Sequence, residues 1–359
     1  MRGVGAFQAL VFNSAFQCTA GVSSSVNHSL TELAPVAVAV SGGADSMALL
    51  LLFKELLDSN NLGEQLIALT VDHNLSCSKE YISTVQSWIS QHQIRHEILE
   101  WHHAPLQAAV EEKARAARYE LLTTYCINNR IPRLFVAHHA QDQAETMLMH
   151  MMRCSGLRGL GGMRPRSTYN GVEIVRPLLG VHPQELKDVL SRFKQPYMTD
   201  PDNLLEQFER VRWRRMIEQN SDINVCNMAQ SARFLQQIEM QIEASARAFL
   251  NENLLESSFP RKAFFELMPI VAQTVLKLLV YSVTKKKQLC SFGACENAYR
   301  RLSNADFVAM TVSGCLIRRV KSGRIAVTQE KQRKQRLSEG ERGFTETTLP
   351  NQRRMQQVQ

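Results

Sequence analysis

The eight cysteines of this chain include no Cys-x-x-Cys pair, and the closest two, Cys290 and Cys295, have no histidines at finger spacing. That argues against a structural zinc site. Thiols scattered through 359 residues suit a reducing compartment, the cytoplasm. No apolar run reaches the roughly 18 residues needed to span a bilayer, so no membrane partner is expected. Residues 1–35 carry Arg2 as their one basic residue apart from His28, so the apolar stretch Ala6–Phe16 lacks the basic flank of a secretion signal and reads as a disordered leader. Acidic residues are the minority, 34 against 42 Lys plus Arg, for a formal charge of +8. That balance attracts polyanions without proving that one is bound.

The most informative stretch is Val36–Ser46, Val-Ala-Val-Ala-Val-Ser-Gly-Gly-Ala-Asp-Ser. A short apolar strand stops at a serine and two glycines, and a helix pattern begins at once with Met47, Leu49, Leu50 and Leu51. This order presents backbone N–H groups and the positive end of a helix to an anion. Glycine lets the backbone approach phosphate oxygens that a Cβ would push away. Asp45, where the new helix begins, either caps it or orients a cation. A glycine turn that binds nothing is the plain alternative.

Strand and helix patterns alternate four times. Further strands are expected at Leu66–Val71, Ile94–Leu99 and Leu134–Ala137, and helices at Glu80–His92, Leu106–Asn128 and Asp142–Arg153. The predicted fold is α/β, a parallel sheet with helices on both faces, followed by a helical region and a small mixed C-terminal region. Ligands of such sheets sit beyond the carboxyl ends of the strands, where Ser41, Asp72 and His138 all fall. A glycine-rich loop covers Gly156–Gly162, a short strand Val172–Val175 and a helix Pro183–Phe193. Leu204–Leu255 reads as mainly helical, Phe264–Val283 as helix broken near Pro269, and Val312–Val320 and Arg324–Thr328 as strands. The expected divisions are a leader at 1–35, a catalytic domain at 36–205, a helical region at 206–260, a small domain at 261–330, and a charged, disordered tail at 331–359.

Two further constellations carry chemistry. In His138-His-Ala-Gln-Asp-Gln-Ala-Glu145, Asp142 and Glu145 are three apart, so a helix puts both carboxylates on one side. Such a pair near phosphate holds Mg²⁺ or attracts an ammonium; an acidic first turn favoured by the helix dipole is the alternative. Asp72 either reaches a ribose or base, or caps a turn. The third constellation is basic: Arg153, Arg158, Arg164, Arg166 and Arg176 around the glycine loop, then Arg210, Arg212, Arg214 and Arg215 around Trp213. Guanidinium groups clamp phosphates and an aromatic stacks on a base, although Trp213 also suits a core.

Ser-Gly-Gly-x-Asp-Ser after a strand resembles the loop of the PP-loop, or N-type, ATP pyrophosphatases, and differs from the Walker loop. Leu69-Thr-Val-Asp-His73, Ala114-Arg115 through Tyr119, His138-His-x-x-Asp-Gln-Ala-Glu-Thr146, Cys154-Ser-Gly-Leu-Arg-Gly-Leu-x-Gly-Met163, Arg176-Pro-Leu-Leu179 and Asp200-Pro-x-Asn203 leading to Arg210-x-Arg212 are similar, in order, to the tRNA(Ile)-lysidine synthases. The likeness covers roughly 36–220, with two departures, Gln141 for an aspartate and Ser76 for an arginine. It implies ATP and Mg²⁺ as cofactors, and tRNA(Ile) with a CAU anticodon and free L-lysine as partners, and it is compatible with a homodimer. The implied reaction adenylates C2 of cytidine 34 through its oxygen, then displaces AMP with the lysine ε-amine. The implied nucleotide residues are Ser41, Gly42, Gly43, Ala44, Asp45, Ser46, Asp72 and His138. The catalytic ones are Asp45, Asp142 and Glu145, with Asp45 and Asp142 also implied for Mg²⁺. Arg115, Arg158, Arg164, Arg210 and Arg212 are implied for substrate. A PP-loop cytidine thiolase is the nearest rival, disfavoured by the missing Cys-x-x-Cys; a nonenzymatic RNA-binding protein is the more distant one.

Overall fold

The structure, a computed structural model, describes residues 35–73, 78–103, 110–199, 209–284, 290–320 and 322–330. Residues 1–34, Ser76, the Asp200–Asn203 motif and the tail after 330 lie outside these. The chain divides into two compact units after Ala244; the divisions expected from sequence stood at 205 and 260.

In the first unit, β1 (Val36–Ala39), β2 (Leu66–Asp72), β3 (Arg95–Glu100), β4 (Arg133–Phe135), β5 (Arg166–Tyr169) and β6 (Val172–Val175) form one sheet in the order β3-β2-β1-β4-β6-β5. All its pairings are parallel except β5 with β6. Parallel strands must be covered on both faces, and the alternation of β1 meets that need. Val36, Val38 and Val40 join one core with helix α1 (Ala44–Asp58), Val85 and Ile89 of α2 (Ser78–Gln91), and Leu186 and Leu190 of α6 (Pro183–Phe193). Ala37 turns the other way, to Tyr119, Leu122 and Cys126 of α3 (Val110–Asn128). Every residue of α1 from Met47 to Phe53 is buried, as its nearly continuous apolar pattern requires.

The remaining helices of this unit are α4 (Ala140–Met152), the one-turn α5 (Leu157–Leu160) inside the glycine loop, and α7 (Glu209–Glu218); α8 (Val225–Asn253) crosses the division at 244. Ala140 and Ala144 of α4 pack with Ile217, Val225 and Ala229 in a small separate core. The stretch Leu204–Leu255, expected to be mainly helical, holds helices α7 and α8 among its described residues. Asn220 and Asn224 take backbone N–H groups of Asp222 and Asn227 on their side-chain oxygens, which ends one helix and starts the next.

In the second unit, β7 (Ser258–Pro260), β8 (Ala309–Val312), β9 (Cys315–Arg319) and β10 (Arg324–Gln329) form an antiparallel sheet in the order β7-β10-β9-β8. With them lie α9 (Arg261–Glu266), α10 (Pro269–Thr284) and α11 (Phe292–Ser303). The expected strand Val312–Val320 is instead a hairpin, because Ser313 and Gly314 take φ of 50° and 88° and turn the chain tightly. Buried Phe259 and Phe264, with ring centroids 4.9 Å apart, anchor this core.

Truncating a fully buried α1 side chain leaves a cavity that neighbours on two sides hold open. Leu50→Ala is expected to lower the urea unfolding free energy by about 2–5 kcal/mol, with an unchanged denaturant slope.

Candidate active site

Ser41 follows β1 and His138 follows β4, neighbours from which the strand order runs outward in both directions. Such a reversal leaves a crevice beyond the strand ends. A cavity of about 520 Å³ lies there, lined by Ser41, Gly43, Asp45, Ser46, Asp72 and His138 among others. Six of the expected nucleotide residues thus line one cavity, and Gly42 and Ala44 adjoin them in sequence.

The three carbonyls of the loop are bonded by different parts of the unit. Tyr81 Oη donates to Ser41 O at 2.6 Å, Met198 N to Gly42 O at 3.0 Å, and Met47 N and Ser46 Oγ to Gly43 O at 3.1 and 3.0 Å. The Ser46 hydroxyl also accepts from Ser41 N at 3.1 Å. In a trans peptide the N–H points away from its carbonyl, so fastening the carbonyls aims the N–H groups of Gly42 and Gly43 to the opposite side. Gly43 is the N-cap of helix α1 and supplies no side-chain cap, so the dipole end of the helix is not satisfied by its own cap residue. Gly42 has φ +80°, and a Cβ there would lie 2.4 Å from Val85 Cγ2. These features fit a bound polyphosphate.

The acidic residues stand in a chain of partners. Asp142 accepts from His139 N at 3.0 Å while Asp142 N faces His139 Nδ1, a reciprocal cap of α4. His139 Nε2 lies 3.4 Å from Asp45 Oδ2, so one imidazole separates the two carboxylates. Burial disfavours a charge on His139, but the hydrogen bond with Asp45 and the fields of Asp142, Asp45 and Glu145 raise its pKa. Burial also opposes the Asp142 charge, yet His139 and its backbone N–H hold that carboxyl below its ordinary value. Glu145 is completely buried, and Arg214 Nε meets it at 2.8 Å. Burial pushes the Glu145 carboxyl up, and the Arg214 guanidinium works against that shift. Among the described residues no group of three or more His, Cys, Asp or Glu could hold a metal ion. The carboxylate of Asp45 is part-exposed and lines the crevice.

The arginines separate into two kinds. Arg115, Arg158 and Arg212 are exposed. Arg164 pairs with Glu239, and Arg210 donates to Thr146 Oγ1 at 3.4 Å. The sequence assigned no site role to His139, which joins the carboxylates, to Tyr81, or to Arg118, which lines the cavity, and Arg214, expected among the phosphate-clamping arginines, instead answers Glu145. Arg118 had a signal, one helical turn after Arg115 and beside the pocket-lining Tyr119, over whose ring both guanidiniums lie at 5.6 and 5.5 Å.

Burial pushes His138 down to about 3, and its Nδ1 is enclosed without a partner. An unfolded histidine titrates near 6.5. Below that pH the unfolded chain takes up a proton the native ring refuses, so stability falls as pH drops from about 6.5 toward 3. His138→Gln should make this acid loss shallower in urea melts at stepped pH; an unchanged slope would mean the ring is not held neutral.

The PP-loop domain family matches residues 19–221. The chain is 31% identical over 294 residues to the tRNA(Ile)-lysidine synthase of Wolbachia sp. subsp. Brugia malayi, an alignment that spans 79% of this chain and 68% of that relative. The enzyme of the same name from Mesorhizobium japonicum is 40% identical over 183 residues, 49% of this chain and 40% of that one. Among solved structures, the U34-tRNA thiolase NcsA from Methanococcus maripaludis superposes with a TM-score of 0.51 at 17% identity, over 65% of this chain and 78% of the other, a likeness of fold. The chain belongs to the tRNA(Ile)-lysidine synthase family of PP-loop, ATP-dependent ligases.

Proposed function

We propose that this protein joins free L-lysine to C2 of cytidine 34 in the CAU anticodon of tRNA(Ile), through an adenylated cytidine, with release of pyrophosphate and then AMP. The observation that carries the reading is the loop of fastened carbonyls opening on the same crevice as Asp45 and His138. Ser41, Gly42, Gly43, Ala44 and Ser46 bind the triphosphate, largely through backbone N–H groups. Asp72 and His138 bind the nucleoside part, His138 as a neutral ring. Asp45 and Asp142 are the carboxylates that would hold Mg²⁺, which supplies neutralisation of charge on the leaving pyrophosphate.

The second half of the reaction needs a neutral amine. Lysine arrives as an ammonium, is oriented by carboxylates, and gives up a proton before its nitrogen forms the bond to C2 and the C2–O bond to AMP breaks. Asp142 and Glu145 take these tasks. Because Arg214 already faces Glu145, the incoming ammonium competes with a guanidinium for that carboxylate. The exposed Arg115, Arg158 and Arg212 hold tRNA phosphates, and Arg164 and Arg210 support the same surface from their internal partners. Free lysine, ATP and tRNA meet in the cytoplasm, the compartment this reading implies.

Purified protein, ATP, labelled lysine and a CAU-bearing isoleucine tRNA provide the test. Label fixed to the tRNA with lysine-dependent AMP release is the expected result; AMP release with no label transferred overturns it. Asp45→Asn is expected to abolish tRNA-dependent pyrophosphate release. Arg212→Ala should weaken tRNA binding about tenfold, on the scale of one lost charge-assisted contact, with ATP affinity unchanged; filter binding at fixed salt reads both.

A further inference from the structure

We propose that Tyr81 is a positioning residue for the phosphate loop: its hydroxyl, given to the Ser41 carbonyl, sets which way the Ser41–Gly42 peptide faces. The inference rests on the reading of this loop as the ATP site.

Tyr81 stands in the first turn of α2, forty residues from Ser41, and donates to Ser41 O at 2.6 Å. Its ring is half-buried and packs against the core that holds α1 and Val85, so the hydroxyl is delivered from a fixed direction. Tyr81 and Val85 together form the floor beneath Gly42: a Cβ there would meet Val85 Cγ2 at 2.4 Å and Tyr81 Oη at 3.3 Å. The other groups of Ser41 are directed toward α1, its N–H to Ser46 Oγ at 3.1 Å and its hydroxyl to the same oxygen at 3.3 Å. The carbonyl is the group of Ser41 that is tied to α2.

A peptide next to glycine turns over at little steric cost, because glycine occupies positive and negative φ with similar ease. Ser41 is exposed, so without the phenol its carbonyl would find water in either orientation. Only one orientation aims the Gly42 N–H away from α2. The Tyr81 hydroxyl therefore selects between two loop conformers of nearly equal packing, and an N–H held in advance binds an anion without the entropic loss of ordering it.

Tyr81→Phe in the full chain removes the hydroxyl and keeps the ring. The test is calorimetric binding of AMPCPP and of adenosine, with steady-state KM for ATP and lysine. AMPCPP affinity is expected to fall roughly fivefold, the net worth of one neutral hydrogen bond. Adenosine affinity and the lysine KM should stay unchanged, while the ATP KM rises by the same factor. An equal loss for adenosine and AMPCPP, or no loss for either, overturns the role of Tyr81. Failure of the unsubstituted protein to bind AMPCPP overturns the ATP reading as well, and so is told apart from the narrower failure.

Discussion

Fastening the loop carbonyls is the constraint from which the rest of the site follows. Ser41, Gly42 and Gly43 have their oxygens bonded by α2, by the backbone at Met198, and by α1 itself. A chain of small residues would otherwise sample many conformers. With each oxygen held, the amide hydrogens of the same peptides are committed to the opposite side. The parallel sheet supplies the anchoring points, since β1 delivers the loop and the cores on both faces fix the helices that grip it.

A second theme is charge compensation among buried groups. Asp45, His139, Asp142, Arg214 and Glu145 stand as successive neighbours from the phosphate loop to α7. A buried carboxylate left alone would shift its pKa until it was neutral. Here an imidazole lies between Asp45 and Asp142, and the Arg214 guanidinium meets Glu145 and opposes the upward shift that burial and the Asp142 charge impose on it.

Much of this was legible in the residue order. The strand–glycine–helix transition at Val36–Ser46, the strand ends at Asp72 and His138, and the three-residue spacing of Asp142 and Glu145 are local patterns, and local patterns survive into structure. What escaped were partners that meet only through the fold. Tyr81 lies forty positions from the carbonyl it holds, and Arg214 sixty-nine from Glu145. Nothing in the spacing of either residue announces its contact. The hairpin strand β5 is a different kind of miss: Asn170-Gly171, at φ 47° and 83°, is a local turn signal that reasoning could have used. The Asn220–Asn224 break was likewise written in side chains that compete for backbone N–H groups.

The near-total burial of α1 has a consequence for how ionic conditions act on the protein. Counter-ions cannot enter the wall of side chains around that helix, so the field along its axis reaches the loop through material of low polarisability. Arg115, Arg158 and Arg212 stand in solvent instead, where dissolved salt screens their charges. Ionic strength thus acts unequally on this protein, weakening the fields of its surface guanidiniums while leaving the packed surroundings of α1 as they are.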